Sequence, residues 1–352
     1  MRVYLGGGHE ELMYDLGAMY RRLGYDVFEP GICGRFESKR GPRDPETTEE
    51  EAAHQRRIDD ALRDYAAKVT TDHLACFTAR PTVFEHVMDA AGSSVEWVAS
   101  RANFAHVILG THAALFSHVI PTIWQFHGQQ NARYDLAISE VCGRGGCVVC
   151  YCQQEADLFP WARLPVIHFG KNPQEWCGWT GEEESVFYVA NSLAQRAEAC
   201  HYQAFRDTMI PGKWWLAGEN NERLGDRARR FRFDEFKQQM RNSRVFFALG
   251  TVPAPYTLAP IEAAMTGMPI LTPWYRHPKE CAPYALPDLL GAGCLVVSKP
   301  SQHAVEKVLG DGIIARRRRE KLSRRAREAA VRLFSNERVD REWALLIKEW
   351  RG

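Results

Sequence analysis

The chain of 352 residues contains no run of 18 apolar residues, so no transmembrane helix is expected. Its opening, MRVYLGGGHEE, lacks the basic-then-apolar order of a secretory leader. Charge of one sign is missing too. The 45 Lys and Arg nearly cancel the 44 Asp and Glu, and a balance of +1 excludes bulk affinity for polyanions. There is no D-x-D triplet, no G-x-x-x-x-G-K-[ST], no H-E-x-x-H and no G-x-S-x-G. Those gaps exclude a metal clamp of the D-x-D kind, an ATP P-loop, a zinc-protease helix and a serine-hydrolase elbow.

Cysteine is present, but not in a form that suggests a disulfide frame. Ten cysteines in a chain without a leader read as reduced thiols, and a cytoplasmic location is expected. Cys142, Cys147, Cys150 and Cys152 crowd together, with a C-x-x-C at Cys147 to Cys150. A structural zinc site usually wants two turn-like pairs. The stretch VVCYC alternates like a strand, so buried thiols are expected there and no metal.

The length exceeds what one compact core usually holds, which predicts two domains. Charge divides the same way: residues 1–180 carry 17 basic and 23 acidic groups, residues 181–352 carry 28 and 21. Residues 2–6 form an apolar strand ending at Gly6-Gly7-Gly8, and a helix follows with Leu12, Leu16, Met19 and Leu23 on one face. Gly24 ends it before a strand at 25–28. Residues 35–64 are charged and read as a solvated loop running into a helix. Further strands are expected at 95–99, 105–109, 120–125 and 147–151.

Periodicity lapses over 169–185 and then restarts. Strands are expected at 186–190, 213–217, 244–249, 269–272 and 294–298, and helices at 192–209, 233–242 and 258–266 and then almost to the end. The expected class is α/β, with two Rossmann-like, doubly wound domains facing a cleft. The first domain spans 1–170, the crossing 171–185, the second domain 186–335, and a C-terminal helix at 336–352 returns toward the first.

The turn GGGHEE puts Gly7, Gly8 and His9 at a helix start, where backbone amides can meet an anion. Glu11 stands where a dinucleotide fingerprint has its third glycine, although Glu29 sits where a ribose-binding acid would, so a nicotinamide enzyme stays open as an alternative. The stretch RVFFALGTVPAPYTLAPIEAAMTGMPILTP reads as strand, Pro-broken loop, helix and strand. Amides around Tyr256, Thr257 and Leu258 at that helix start could hold a diphosphate, and Glu262 a ribose diol; a Glu early in a helix also simply complements the dipole.

The stretch PYTLAPIEAAMTGMPIL resembles the nucleotide-sugar motif of the retaining GT-B glycosyltransferases of the glycogen- and sucrose-synthase-like group, which carry Glu-x7-Glu. VFYVANSLAQR resembles the family's strand and loop ending in a basic residue, which implies Arg196 at the diphosphate. PTIWQFHG implies His127 and Gly128 beside the sugar, and PVIHFGKN resembles the turn before the domain crossing, at Gly170. The resemblance spans most of the chain, in order. It implies a nucleotide-diphosphate sugar as donor substrate, UDP-sugar favoured, no metal and no other cofactor. It also implies retention of configuration, with His127, Arg196 and Glu262 as the catalytic set. Gly8 joins the donor site, and Gly7 and His9 the acceptor side. Two departures stand out: Ala254 replaces the first motif Glu, and Asn191 stands where an arginine is expected.

HEELMYDLGAMYRRLGYDVFEPG with YTLAPIEAAMTGMPIL further resembles phage-type glycosyltransferases acting on 5-hydroxymethylpyrimidines in DNA, which implies double-stranded DNA as a partner, a flipped base and the host cytoplasm. The segment 316–332, with nine Arg and Lys against two Glu, reads as a cationic collar suited to a phosphate backbone or simply as a solvated helix. The stretch 223–244 adds eight basic residues against three acids. A polysaccharide or lipid-linked acceptor at the membrane face is the alternative within the same chemistry. Ala254 keeps open a catalytically decayed nucleic-acid-binding protein.

Overall fold

The computed structural model describes residues 1–6, 10–28, 53, 95–108, 113–125, 134–252, 254–273 and 285–352. The chain divides into two compact units, Met1–Gly170 with Asp340–Gly352, and Lys171–Val339.

In the first unit the described elements run β1 (Arg2–Gly6), α1 (Glu10–Arg22), β2 (Asp26–Phe28), α2 (Val95–Ala99), β3 (Phe104–Ile108), α3 (Ala113–Ser117), β4 (Thr122–Gln125), α4 (Tyr134–Gly143), β5 (Cys147–Val149) and α5 (Gln153–Ala156). The strands form one parallel sheet in the order β2-β1-β3-β4-β5. Val3, Tyr4 and Leu5 are all buried, the unbroken apolar run that a parallel strand covered on both faces requires. Leu12, Leu16 and Met19 bury one face of α1, and Gly24 at φ +81° ends that turn in the left-handed region.

Two expectations fail here. Residues 95–99 are the helix α2, not a strand. A five-residue apolar run carries too little periodicity to separate the two, and Val95 and Val98, one turn apart, both meet the core. The strand expected at 147–151 stops at Val149; Cys150 makes only an isolated bridge to Val166. The charged loop and helix expected at 35–64 lie outside the described residues, apart from Ala53.

The second unit runs β6 (Glu183–Val189), α6 (Tyr202–Thr208), β7 (Trp214–Ala217), β8 (Ala228–Arg229), α7 (Phe233–Asn242), β9 (Ser243–Phe247), α8 (Leu258–Thr266), β10 (Ile270–Pro273), α9 (Leu286–Leu290), β11 (Cys294–Val297), α10 (Gln302–Leu309) and α11 (Ile313–Phe334). Its parallel sheet has the order β11-β10-β9-β6-β7-β8. The helix expected at 192–209 is reduced to α6. Ser192 at φ 52° and His201 at φ 55° adopt left-handed backbone, and residues 193–201 pass in consecutive turns.

The last helix, α12 (Asn336–Arg351), carries the chain back into the first unit from Asp340 onward. There Arg22 holds Asp340 through two hydrogen bonds of 2.6 and 2.8 Å, and the Trp350 indole donates to the Gly145 carbonyl at 2.8 Å. The ring of Trp343 lies 4.9 Å from that of His106. His106 is fully buried beside the Tyr20 hydroxyl, 2.8 Å from its Nδ1. Burial pushes its pKa down to about 3, with a hydrogen bond from the ring to the Gln125 side chain working in the opposite sense.

Candidate functional site

In the second sheet β6 pairs with β7 on one side and with β9 on the other. The connections leaving β6 and β9 therefore diverge, which makes this the switch point beyond whose carboxyl ends open α/β sheets bind ligands. The segment 190–201 follows β6, and residues 248–252 and 254–257 follow β9.

The first segment is held by its neighbour after β7. The Ala190 amide donates to the Ala217 carbonyl at 3.0 Å, and the Ser192 amide to the Glu219 carbonyl at 2.8 Å. Asn191 Oδ1 accepts from the Glu219 amide at 3.0 Å. Asn221 reaches back twice, donating to the Ala190 carbonyl at 2.6 Å and accepting from the Leu193 amide at 2.8 Å. Asn191, the departure from the expected arginine, thus serves this clasp. Arg196 follows in the turn, half-buried, its amide on the Ser192 carbonyl and its carbonyl taken by the Cys200 amide. Burial raises the Cys200 thiol, while the nearby Arg196 charge and a hydrogen bond from Thr251 oppose the rise.

Thr251 belongs to the second segment, and the two segments join where the Val252 amide donates to the Ala199 carbonyl at 2.8 Å. Ala254 closes a tight turn onto the Thr251 carbonyl at 2.7 Å. Tyr256 buries its ring against Phe334, 5.8 Å between centroids, and Thr257 and Leu258 are half-buried at the start of α8. Thr257 is the N-cap residue, yet its side chain makes no capping hydrogen bond. Pro260 lies in the first turn, where a missing N–H costs no helix hydrogen bond. The opening amides of α8 lie at the helix end, where no intrahelical acceptor precedes them.

From Ala259 to Thr266 every residue of α8 is buried. A carboxylate on such a helix needs a counter-charge. Glu262 finds it in Lys171, whose Nζ lies 2.5 Å from Oε1, with the lysine side chain wholly shielded and the glutamate 7% exposed. The lysine Nζ also stands 5.8 Å from the centre of the Trp176 ring.

The sequence-predicted residues therefore divide. Arg196, Tyr256, Thr257 and Leu258 lie on the two joined segments, and Glu262 one turn farther along α8. Gly7, Gly8, His9, His127 and Gly128 lie outside the described residues. Lys171 and Asn221 were missed. The one available signal for Lys171 was an isolated cation in the turn HFGKN, followed by the aromatic at Trp176.

The cationic collar is only partly a surface. Arg316, Arg317 and Arg318 are exposed on α11, but Arg319 turns inward, its Nη1 donating to the carbonyls of Val308, Leu309 and Gly310 at 2.6, 3.0 and 2.6 Å. Arg327 likewise donates to carbonyls of Trp176 and Met265. Such a guanidinium fork satisfies carbonyls left over at helix ends. In the thiol cluster Cys150 and Cys152 are buried, Cys147 half-buried and Cys142 exposed. Among the described residues no three metal-ligating side chains gather. No described helix is long and apolar enough to cross a membrane.

No protein-family model matches the chain, and no curated protein matches it in sequence. Solved structures do match. HepE of Anabaena in complex with UDP-glucose is similar over 99% of this chain and 100% of its own, with a TM-score of 0.64 and 12% identity. A sucrose-phosphate synthase from Thermosynechococcus elongatus matches over 99% of this chain and 98% of its own, with a TM-score of 0.61 and 15% identity. A glycosyltransferase from Rickettsia africae matches over 100% and 99%, with a TM-score of 0.58 and 10% identity. The fold is that of the two-domain GT-B glycosyltransferase structures.

Proposed function

We propose that the chain is a glycosyltransferase that moves a sugar from a nucleotide-diphosphate sugar to an acceptor hydroxyl, with the donor held at the switch point of the second unit. The observation that carries this reading is the joining of the Arg196 turn to the α8 start through Val252 and Ala199. The turn that carries a cation and the segment that leads to a set of helix-end amides are thereby brought together, a pairing that suits a diphosphate. Arg196 and the amides near Tyr256, Thr257 and Leu258 stabilise the charge that develops on the leaving diphosphate. Glu262 accepts hydrogen bonds from the ribose. A uridine nucleotide is favoured, in line with the UDP-glucose complex of HepE. Configuration is retained, the leaving phosphate taking the acceptor proton; His127 is assigned to catalysis, Gly8 and Gly128 to the donor, and Gly7 and His9 to the acceptor.

For the acceptor we favour a 5-hydroxymethylpyrimidine in double-stranded DNA, a small primary alcohol that base flipping would bring to the donor. The exposed Arg316, Arg317 and Arg318, with Lys321, Arg324 and Arg325, give α11 a surface suited to backbone phosphates. A second reading has its own observation: Ile313 and Ile314, 66% and 76% exposed, precede those arginines, a pairing of apolar and cationic groups that suits an anionic lipid surface and a lipid-linked acceptor. The test incubates the protein with tritiated UDP-, GDP- and ADP-sugars and either hydroxymethylated DNA or membrane extract. Label entering DNA supports the first reading, label entering lipid supports the second, and no transfer to either overturns both.

A further inference from the structure

Lys171 is the first residue of the second unit, and it is pinned from several sides. Its amide donates to the Phe334 carbonyl at 2.7 Å, and its carbonyl accepts from the Asn336 amide at 2.9 Å. The Trp176 ring lies beside its Nζ, and Arg327 ties the Trp176 carbonyl, at 2.9 Å, to the Met265 carbonyl of α8. The lysine therefore has a fixed base and a fixed flank, and its Nζ is aimed at Glu262 Oε1. A cation held in this way favours the ionised glutamate and limits its rotamers, since swinging away would break a buried ion pair.

We propose that Lys171 is the positioning residue through which Glu262 distinguishes a ribose diol. The inference rests on the donor-site reading above. Lys171 is wholly shielded, so it acts through Glu262 and touches no ligand. An ionised, oriented carboxylate accepts shorter and stronger hydrogen bonds from hydroxyls than a mobile or protonated one. The affinity difference between a ribonucleoside diphosphate and its 2′,3′-dideoxy counterpart should then depend on the lysine as much as on the glutamate.

The test is calorimetric titration with UDP, GDP and ADP, followed by the dideoxy form of whichever binds best. The wild-type protein is expected to prefer the ribose form by about tenfold or more. Glu262→Gln and Lys171→Met should each bring the preference to within about twofold of unity, and Lys171→Met on top of Glu262→Gln should change it no further. Should Lys171→Met unfold the chain, Lys171→Arg is read instead, because it keeps the buried charge but moves it; an intermediate preference is expected. A merely structural lysine would weaken both nucleotides equally and leave their ratio at the wild-type value, and that result overturns the proposal. An unchanged ratio in Glu262→Gln also overturns it, with donor binding intact. Absence of binding of all three nucleotides to the wild-type chain overturns the donor-site reading itself.

Discussion

Gly218 stands against the carbonyl of Ala190: a methyl carbon placed on it would lie 2.0 Å from that oxygen and 3.0 Å from Asn191 Oδ1. Its φ of +146° lies where side chains are strained in any case. Gly218→Ala should cost about 2–5 kcal/mol, from left-handed strain and overpacking together. Gly145→Ala is the control, since Gly145 has φ +78° but open space around it, and about 1–2 kcal/mol is expected. Urea unfolding of the two variants checks the difference.

The buried pair of Lys171 and Glu262 makes a second prediction, on stability. Lys171→Met leaves the Glu262 carboxylate without its cation and should cost about 3–5 kcal/mol. Lys171→Met combined with Glu262→Leu removes both charges and should recover most of the loss. Denaturant midpoints of the single and double variants decide it.

His106 should make the chain acid-sensitive. Its pKa falls from the ordinary 6.5 to about 3 in the folded chain, so below pH 6.5 the unfolded state takes up the proton and the folded state does not. Stability from this group is complete above pH 6.5 and drains away toward pH 3, by about 1.4 kcal/mol for each pH unit. His106→Gln cannot take up that proton. Its unfolding free energy should fall less steeply between pH 6.5 and 5 than the wild type's.

Cys147, Cys150 and Cys152 should be inert in the folded chain. Burial pushes Cys147 up to about 12, with the charge of Cys142 adding to it. Cys150 and Cys152 are raised further, by burial first and by the Glu155 charge second. Thiolate is the reactive form. Iodoacetamide at pH 8 should therefore leave the tryptic peptide 145–163 unlabelled in native protein and label it fully in urea, as read by mass spectrometry.

Much of the fold was legible where apolar residues were continuous or evenly spaced. Val3 to Leu5 announced a parallel strand, and Leu258–Thr266 and Phe233–Asn242 are helices over the expected residues. The failures have local causes. Val95 to Ala99 is too short for its period to be read, and the left-handed Ser192 and His201 break a helix whose composition supports one. The candidate site was legible as segments but not as partners. Glu262 could be picked out from its place in α8, whereas its cation sits 91 positions earlier in the chain, and only folding brings the two together. The arginine run at 316–319 likewise gave no sign that Arg319 turns inward, because an even row of like residues carries no face.

On the reading proposed above, a nucleoside diphosphate binds between the Arg196 turn and the start of α8. The most direct measurement is calorimetric titration of wild-type protein and Arg196→Ala with UDP, GDP and ADP, and with the matching nucleosides. At least one diphosphate should bind with a Kd below about 1 mM. Arg196→Ala should weaken it about tenfold or more and leave nucleoside affinity unchanged. No diphosphate binding, or equal diphosphate affinity in the two proteins, would contradict it.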